Sequence, residues 1–467
     1  MMSTLLVRVL QGWRLPASAD GEVRKTFRVT TFESLCAIAM VGLVETNASA
    51  ALVSLDPSKL QLALLGSAPL LLSAMTQLFT PYGAAFIHSR RWFCVTSVWL
   101  QALMIALVSV SGYVAASSNA SCYVFLLMFA LYAMTGGMSS SVWASWMADL
   151  VPQPIRGRFF ALRNRILSIV QICVGMLSGV VIARVSGEHP PWGAFAAVFV
   201  MAGVFRVFSG MILSRVHEPT VVTRPPARDF TYLEFLRKTP TSNFARFVIF
   251  VALIHGTAAM AGPFFAPYML RDLHLDRSYA LYAFVNNAAL LGTLVFLPFW
   301  GHVADKYGNL LVIRVGALIT ALVPVPYLFV YHWTWLWLAG FAAGVAWSGF
   351  GIASFNYVFE AVTPVRRIRC FSYLGATTGF SVFILGMTGG YLAQHVPKLP
   401  HCISPYQTLF LISALARALV ALVFLWMIKE VRHAVEPANA FDIFNEMPGV
   451  RPARDILSNL YRALRRM

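Results

Sequence analysis

The sequence predicts an all-α polytopic membrane protein, with twelve transmembrane helices arranged as two pseudo-symmetric six-helix bundles. Three observations lead there. Hydrophobic residues make up 58% of the 467 and charged residues only 12%, against about 25% charged in an ordinary soluble chain, so the polar exterior that a water-soluble domain needs is missing. The apolar residues gather into twelve runs long enough to cross a bilayer as helices, about 20 residues each. Finally, polar and glycine positions of the first half recur in the second at one constant offset.

Taken in order, the runs fall near 31–54, 61–85, 92–114, 121–148, 162–184 and 191–214, then 245–269, 278–300, 310–331, 334–359, 368–394 and 405–428. They lack the alternating polar positions of barrel strands, so helices are expected. Between the ninth and tenth runs only "YHWTW" is left for a sharp interfacial turn. The chain thus divides into a cytoplasmic tail (1–30), an N-terminal bundle (31–214), a linker (215–244), a C-terminal bundle (245–429) and an amphipathic cytoplasmic tail (430–467). The first tail has no uninterrupted apolar segment or small-residue cleavage site, and it reads as a tail rather than a removed signal peptide. The linker carries Pro219, Pro225, Pro226 and Pro240, and its "FTYLEFLRK" reads either as a short amphipathic helix on the membrane surface or as part of a disordered tether.

Charge placement sets the expected orientation. With both termini on one face, 29 of the 36 Lys and Arg residues fall in tails, connections and flanking turns of that face. Only Lys59, Arg184, Arg271, Arg277 and Lys398 fall on the other. Positive residues collect on the cytoplasmic side, so both termini are expected inside, in a bacterial-type cytoplasmic (inner) membrane. The same asymmetry explains the net charge of +17 with anionic lipid headgroups as counterpart; no nucleic-acid motif accompanies it. Six scattered cysteines lack metal-ligand spacing, and no metal or cofactor is expected.

A shift of 211 residues sets Asp149 on Glu360, Arg156 on Arg367, Arg158 on Arg369, Gly175 on Gly386, Gly179 on Gly390 and Arg206 on Arg417. One such match means little; several at one offset indicate duplication. Asp149, Arg156 and Arg158, like Glu360, Arg367 and Arg369, then belong to equivalent cytoplasmic turns, where acid and base can pair when a mouth is shut and part when it opens. Arg206 and Arg417 sit inside spans six and twelve, either paired structurally or binding an anion; structural pairing is the favoured expectation.

Other polar groups interrupt the apolar runs. Glu45 and Asn47 lie in the middle of span one, and a carboxylate at that depth must face the bundle interior, pair or carry a proton. His255 lies at similar depth in span seven, beside Gly256, Gly262, Pro263 and Pro267, which weaken regular helix geometry. It is read as a proton-exchanging group or a packing residue. Asn286, adjacent to Asn287, is the further pocket-lining candidate.

Between spans eight and nine stands "GHVADKYGN", in which Gly301, Asp305, Lys306 and Gly308 form the pattern G-x-x-x-D-[R/K]-x-G. Its placement in a cytoplasmic turn of a two-times-six arrangement resembles the major facilitator superfamily of secondary transporters, over roughly residues 30 to 430. The first-half counterpart keeps Gly83, Arg90 and Arg91 but has Ile87 at the acidic position. The resemblance implies that fold and alternating access, with the turn acting as a conformational latch. The residues alone allow Gly308 a turn geometry costly to others and let Asp305 cap a helix or meet a cation.

The expected function is secondary active transport of a small polar or amphipathic solute, with a proton as candidate coupling ion, by a membrane transporter acting as a monomer and not by an enzyme. Two alternatives stand beside it: a transporter-like receptor or scaffold without turnover, motivated by Ile87, and a lipid-modifying enzyme with Glu45 and His255 as acid and base.

Overall fold

The computed structural model describes residues 21–431 apart from 88, 115–116, 151–152, 187–191, 219–230, 330, 363–365 and 401, with side chains undescribed at 21–28, 80–87, 153–162 and a few further helix positions. The two tails, except residues 21–30, 430 and 431, and the middle of the linker lie outside the described residues. Among the described residues twelve segments are long and apolar enough to cross a membrane. In the first half these are α1 (Gly21–Ser54), α2 (Lys59–Ile87), α3 (Arg90–Val114), α4 (Ser118–Leu150), α5 (Gln153–Ser186) and α6 (Trp192–Leu213). The second half has α7 (Asn243–Asp272), α8 (Leu275–Tyr307), α9 (Asn309–Leu328), α10 (Trp333–Ala361), α11 (Arg367–His395) and α12 (Pro405–Leu425). The face on which α1 starts and α12 ends is called the near face below, and its opposite the far face.

Local sequence sets the irregularities. α7 is regular only to Ala259; past it, Gly262, Pro263 and Pro267 impose a 3-10 turn over Gly262–Phe264 and a π turn over Tyr268–Asp272, because each proline removes a ladder donor and crowds the preceding turn. α8 is interrupted at Asn287, whose side-chain amide donates to Ala283 O at 2.7 Å. The expected turn before α10 is present, with His332 as its N-cap. The linker holds a short helix, Tyr232–Arg237, started by a capping box of Thr231 and Glu234. Its Phe235 is buried against Phe244 and Tyr373, and the Tyr232 hydroxyl meets Thr377 Oγ1 at 3.0 Å, so this helix is docked on the second bundle.

The duplication is visible in side-chain geometry. Trp146 Nε1 donates to His217 O at 3.1 Å, and Tyr357, at the equivalent position, donates through its hydroxyl to Lys429 O at 2.7 Å. The next acid in each case closes a helix start: Glu218 accepts from Arg90 N and Ser89 Oγ, both at 2.6 Å, and Glu430 accepts from Leu310 N at 3.0 Å. A carboxylate there satisfies an orphan N–H and meets the positive end of the helix dipole. Each bundle is thereby tied from the end of its sixth helix to the start of its third.

The bundles meet along two seams, α2 with α11 and α5 with α8. Hydrocarbon offers no hydrophobic drive for helices to associate, so close packing of small residues must supply it. A Cβ added at Gly390 would lie 2.6 Å from that of Ala63, and one at Gly179 would lie 2.3 Å from that of Ala283. Among the described residues, polar contacts between the bundles gather at the far face. Lys59 Nζ donates to Ala393 O at 2.6 Å, Arg271 reaches Val53 O at 2.8 Å and Asp56 at 2.9 Å, and the Tyr279 hydroxyl donates to Asn47 Oδ1 at 2.8 Å. Asn47 in turn donates to Ser178 Oγ at 2.9 Å and Leu43 O at 2.8 Å.

These closures differ in strength. The Asp56 side chain is 83% exposed and that of Arg271 41%, and exposed ion pairs contribute about 0–1 kcal/mol. Asn47 and Tyr279 are 0% and 2% exposed, so breaking their bond strands a buried polar group at a cost of about 1–3 kcal/mol. Tyr279→Phe should therefore raise far-face labelling of a cysteine placed at cavity residue Ser49 about fivefold or more, while Asp56→Asn should change it far less; labelling rates with an impermeant reagent in a cysteine-free background decide. At the near face, Glu218→Ala and Glu430→Ala should each lower stability by about 1 kcal/mol, read by unfolding in mixed detergent micelles.

Candidate functional site

Within the first bundle lies a cavity of about 720 Å³ running beside α1 from Glu33 to Ser49. Its far end is floored by Pro263, brought there by the break in α7 and seated against Gly66. Its walls come from α1 to α6, chiefly apolar and aromatic side chains such as Met40, Leu65, Phe129 and Tyr132. Two groups of polar side chains interrupt them, one at each end.

At the near end, Glu33 of α1 is 4% exposed and Arg206 of α6 is 7% exposed. Ser209 Oγ donates to Glu33 Oε1 at 2.8 Å, Ser34 Oγ to Oε2 at 3.3 Å, and Arg206 Nη1 to Ser209 Oγ at 3.4 Å. Arg163 of α5 donates to Ser34 Oγ through Nε at 3.0 Å and Nη2 at 2.8 Å, and its guanidinium lies 4.5 Å from the Trp143 ring centre. Acid and bases at bilayer depth are thus joined through two hydroxyls, which is how such charges are tolerated there. Among the described residues the Arg417 site of the second bundle has no such acid: Arg417 donates to Thr320 O at 2.9 Å and Ser413 Oγ at 3.0 Å. The duplicated arginines have diverged, and only the first lines the cavity.

At the far end stands Glu45, exposed to the cavity. Its Oε1 is 3.5 Å from the Tyr132 hydroxyl, at the edge of hydrogen-bond reach. Among the described residues no Lys, Arg or His forms an ion pair with it. The neighbouring Gln101 of α3 donates through Nε2 to Tyr132 O at 3.2 Å.

The remaining expected residues are distributed elsewhere. Asn47 is buried in the seam between the bundles and takes no part in lining this cavity. His255 faces Trp347 and Phe350, ring centres 5.0 and 5.9 Å away, within the second bundle, so Glu45 and His255 do not share this site and offer no joint acid–base geometry. Asn286 is exposed outside the cavity lining, while Asn287 is buried in the α5–α8 seam beside Gly175. Gly308 has φ 93° and ends α8, with its N–H on Ala304 O at 3.0 Å, a conformation that favours glycine. Asp305 is exposed, Lys306 lies over the Tyr307 ring, and a Cβ at Gly301 would meet nothing within 4 Å among the described residues. Glu360 and Arg369 are partly buried at the near ends of α10 and α11. The side chains of Asp149, Arg156, Arg158 and Arg367 lie outside the described residues.

Sequence reasoning misses Glu33 and Gln101. Glu33 hides near the charged start of the first run, and its signal is Arg206: a cation inside span six demands an acid at matching depth, which the first helix supplies. Gln101 carries no charge and has no pattern to betray it.

Comparison with known proteins bears on all of this. A family model described as Major Facilitator Superfamily matches residues 247–466. A curated relative from Arabidopsis thaliana, described as a probable peptide/nitrate transporter, is 28% identical over 144 residues, covering 29% of this chain and 29% of that protein; the match therefore spans under a third of the relative's length. Solved structures share the whole architecture. The nucleoside transporter NupG superposes with a TM-score of 0.66 at 15% identity, covering 86% of this chain and all of that one. A D-xylose-proton symporter gives 0.64 at 16% identity, covering 88% and 99%. A bacterial homologue of the iron transporter ferroportin, in an inward-facing state, gives 0.63 at 16%, covering 86% and 98%. At these identities the likeness is one of fold, and it extends over both bundles where the family model covers the second. The second half, residues 247–466, thus matches the Major Facilitator Superfamily, and the whole chain, with its twelve spanning helices, paired six-helix bundles, glycine-ended turn after α8 and internal cavity, shares the fold of these solved transporters.

Proposed function

We propose that the cavity beside α1 is the solute site, that Glu45 is the carboxylate through which a proton gradient drives accumulation, and that the protein works as a monomer. The carrying observation is a carboxylate presented to a cavity at bilayer depth without an ion-pair partner among the described residues. Such a group can change its proton occupancy only as its surroundings change during a transport cycle. Glu33 is a different kind of acid: it is held by two hydroxyls and lies near two arginines, and its role is to hold α1 against α6. The solute is small and polar or amphipathic, in keeping with apolar walls carrying a few polar groups.

In this reading the near face is cytoplasmic, supported by the excess of Lys and Arg in its connections, and the membrane is a bacterial inner membrane whose anionic lipids meet those residues. The turn containing Gly301, Asp305, Lys306 and Gly308 latches the near face when it shuts, with the acids and bases at 149–158 and 360–369 as gate groups.

Solutes are first screened for saturable stabilisation of the purified protein, and a hit is then followed into liposomes under an imposed proton gradient. Glu45→Gln should abolish gradient-driven accumulation in folded protein. Glu33→Gln should retain accumulation per folded molecule but lower stability by about 3 kcal/mol, since it leaves Arg206 buried without its acid. Undiminished accumulation by Glu45→Gln removes it from the coupling mechanism.

A further inference from the structure

The far end of the cavity presents an excess of hydrogen-bond acceptors. Gln101 is 4% exposed and its side-chain oxygen, Oε1, has no hydrogen-bond partner. The amide orientation is not arbitrary: Nε2 must face Tyr132 O, a carbonyl that only a donor can approach. Gly136 makes that approach possible, because a Cβ there would lie 2.5 Å from Nε2. A buried acceptor left without a donor is costly, and Gln101 lines the same cavity as Glu45, with its Oε1 buried in the wall. The two acceptors flank one residue, Tyr132, with Gln101 at its backbone and Glu45 at its hydroxyl. The Tyr132 hydroxyl is the donor between them, and around them are the apolar surfaces of Met40, Leu65 and Phe129.

We propose that Glu45, Gln101 and Tyr132 form a subsite for a primary or secondary ammonium group carried on an apolar body. The proposal rests on reading this cavity as the solute pathway. An ammonium supplies what the site lacks, a positive charge and several N–H donors in one small group. It can give one N–H to Glu45 and another to Gln101 Oε1 while its hydrocarbon lies on the apolar walls. An alcohol offers one donor and no charge, and a quaternary ammonium offers charge and no donor. A carboxylate would meet two acceptors. The cations lining the cavity are engaged toward its other end, where Arg163 donates twice to Ser34 and Arg206 sits beside Glu33 and Ser209, although Arg206 is close enough to Tyr132 for their charges to interact. Arg206 Nε has no hydrogen-bond partner, so an anion seated there is the competing outcome that the test must include.

The full-length protein in lipid nanodiscs is titrated with n-butylammonium and 2-phenylethylammonium, with 1-butanol and 2-phenylethanol as neutral counterparts, tetramethylammonium, and butyrate and 3-phenylpropionate as anions. At least one ammonium should bind about tenfold or more tightly than its alcohol, and the quaternary ion and the anions more weakly than that ammonium. Glu45→Gln should bring the ammonium close to its alcohol, and Gln101→Met should weaken the ammonium severalfold without affecting the alcohol. As a readout independent of both variants, the same ammonium should protect Ser49→Cys from alkylation where its alcohol does not. Ammonium and alcohol binding alike, a carboxylate binding more tightly than the ammonium, or a full ammonium preference in folded Glu45→Gln each overturn the subsite. The two readings fail separately. Liposome flux of some other solute through the cavity without ammonium preference sinks the subsite and leaves transport standing. Ammonium preference with no flux of any bound solute supports the subsite and removes the cavity from the transport pathway.

Discussion

The bond from the Tyr279 hydroxyl to Asn47 Oδ1, continued from Asn47 to Ser178, is the constraint on which the rest of the arrangement depends. It joins the two bundles in the low-dielectric interior, where neither partner has water to replace the other. The salt bridge and carbonyl contacts around Asp56, Arg271 and Lys59 are nearer to solvent and can exchange with it at little cost. A closure whose main element is one buried hydrogen-bond chain is suited to a two-state device, because the chain is either made or broken and has no graded intermediate. With the far face held by it, the cavity beside α1 ends at Pro263 and Ser49 instead of passing through.

That constraint also separates the polar groups of the first bundle by role. Asn47 and Ser178 are consumed in closing the far face. Glu33, Ser34, Arg163, Arg206 and Ser209 bond one another at the near end, leaving Arg206 Nε without a partner, and hold α1, α5 and α6 together. At the other end of the cavity Glu45 and Gln101 are left without a full set of partners among the described residues. In a bilayer an unsatisfied polar group is costly, so its persistence points to a group used transiently, by a proton or a solute. The second bundle contributes differently: its arginine is spent on a carbonyl and a hydroxyl, and His255 is packed among aromatic rings. The pseudo-symmetric halves share architecture, seen in the Trp146 and Tyr357 ties to the chain that leaves each bundle, and diverge where the chemistry lies.

The parts legible in the sequence are those that each segment must solve alone. Every span has to cover the hydrocarbon with its own apolar residues, so all twelve could be placed, and the breakers Gly262, Pro263 and Pro267 act locally and announce the irregular end of α7. α1 is already helical at Gly21, ahead of the apolar run, because hydropathy marks where a helix enters the membrane and not where it starts. Much less of the site was legible, since its bonds join residues far apart in the chain: Glu33 to Ser209, Gln101 to Tyr132, Tyr279 to Asn47. Glu45 stood out because an isolated acid in an apolar run is visible in one dimension. Asn47 stood out equally, yet which of the two faces a cavity and which a neighbouring helix is decided by packing. The adjacent pair Asn286 and Asn287 shows the same limit, where one residue of rotation separates exposure from the buried seam.

The central claim is that the far face opens and closes in exchange with the near face. Spin-label distances in lipid nanodiscs test it directly, with labels at exposed positions Val185 and Phe329 for the far face and Trp92 and Trp426 for the near face, in a background without native cysteines. The account predicts two distance populations at each face that trade places together, the far-open population being the near-closed one and growing when Tyr279 is replaced by Phe. A single unchanging distance at both faces, in wild type and in that variant, would contradict it.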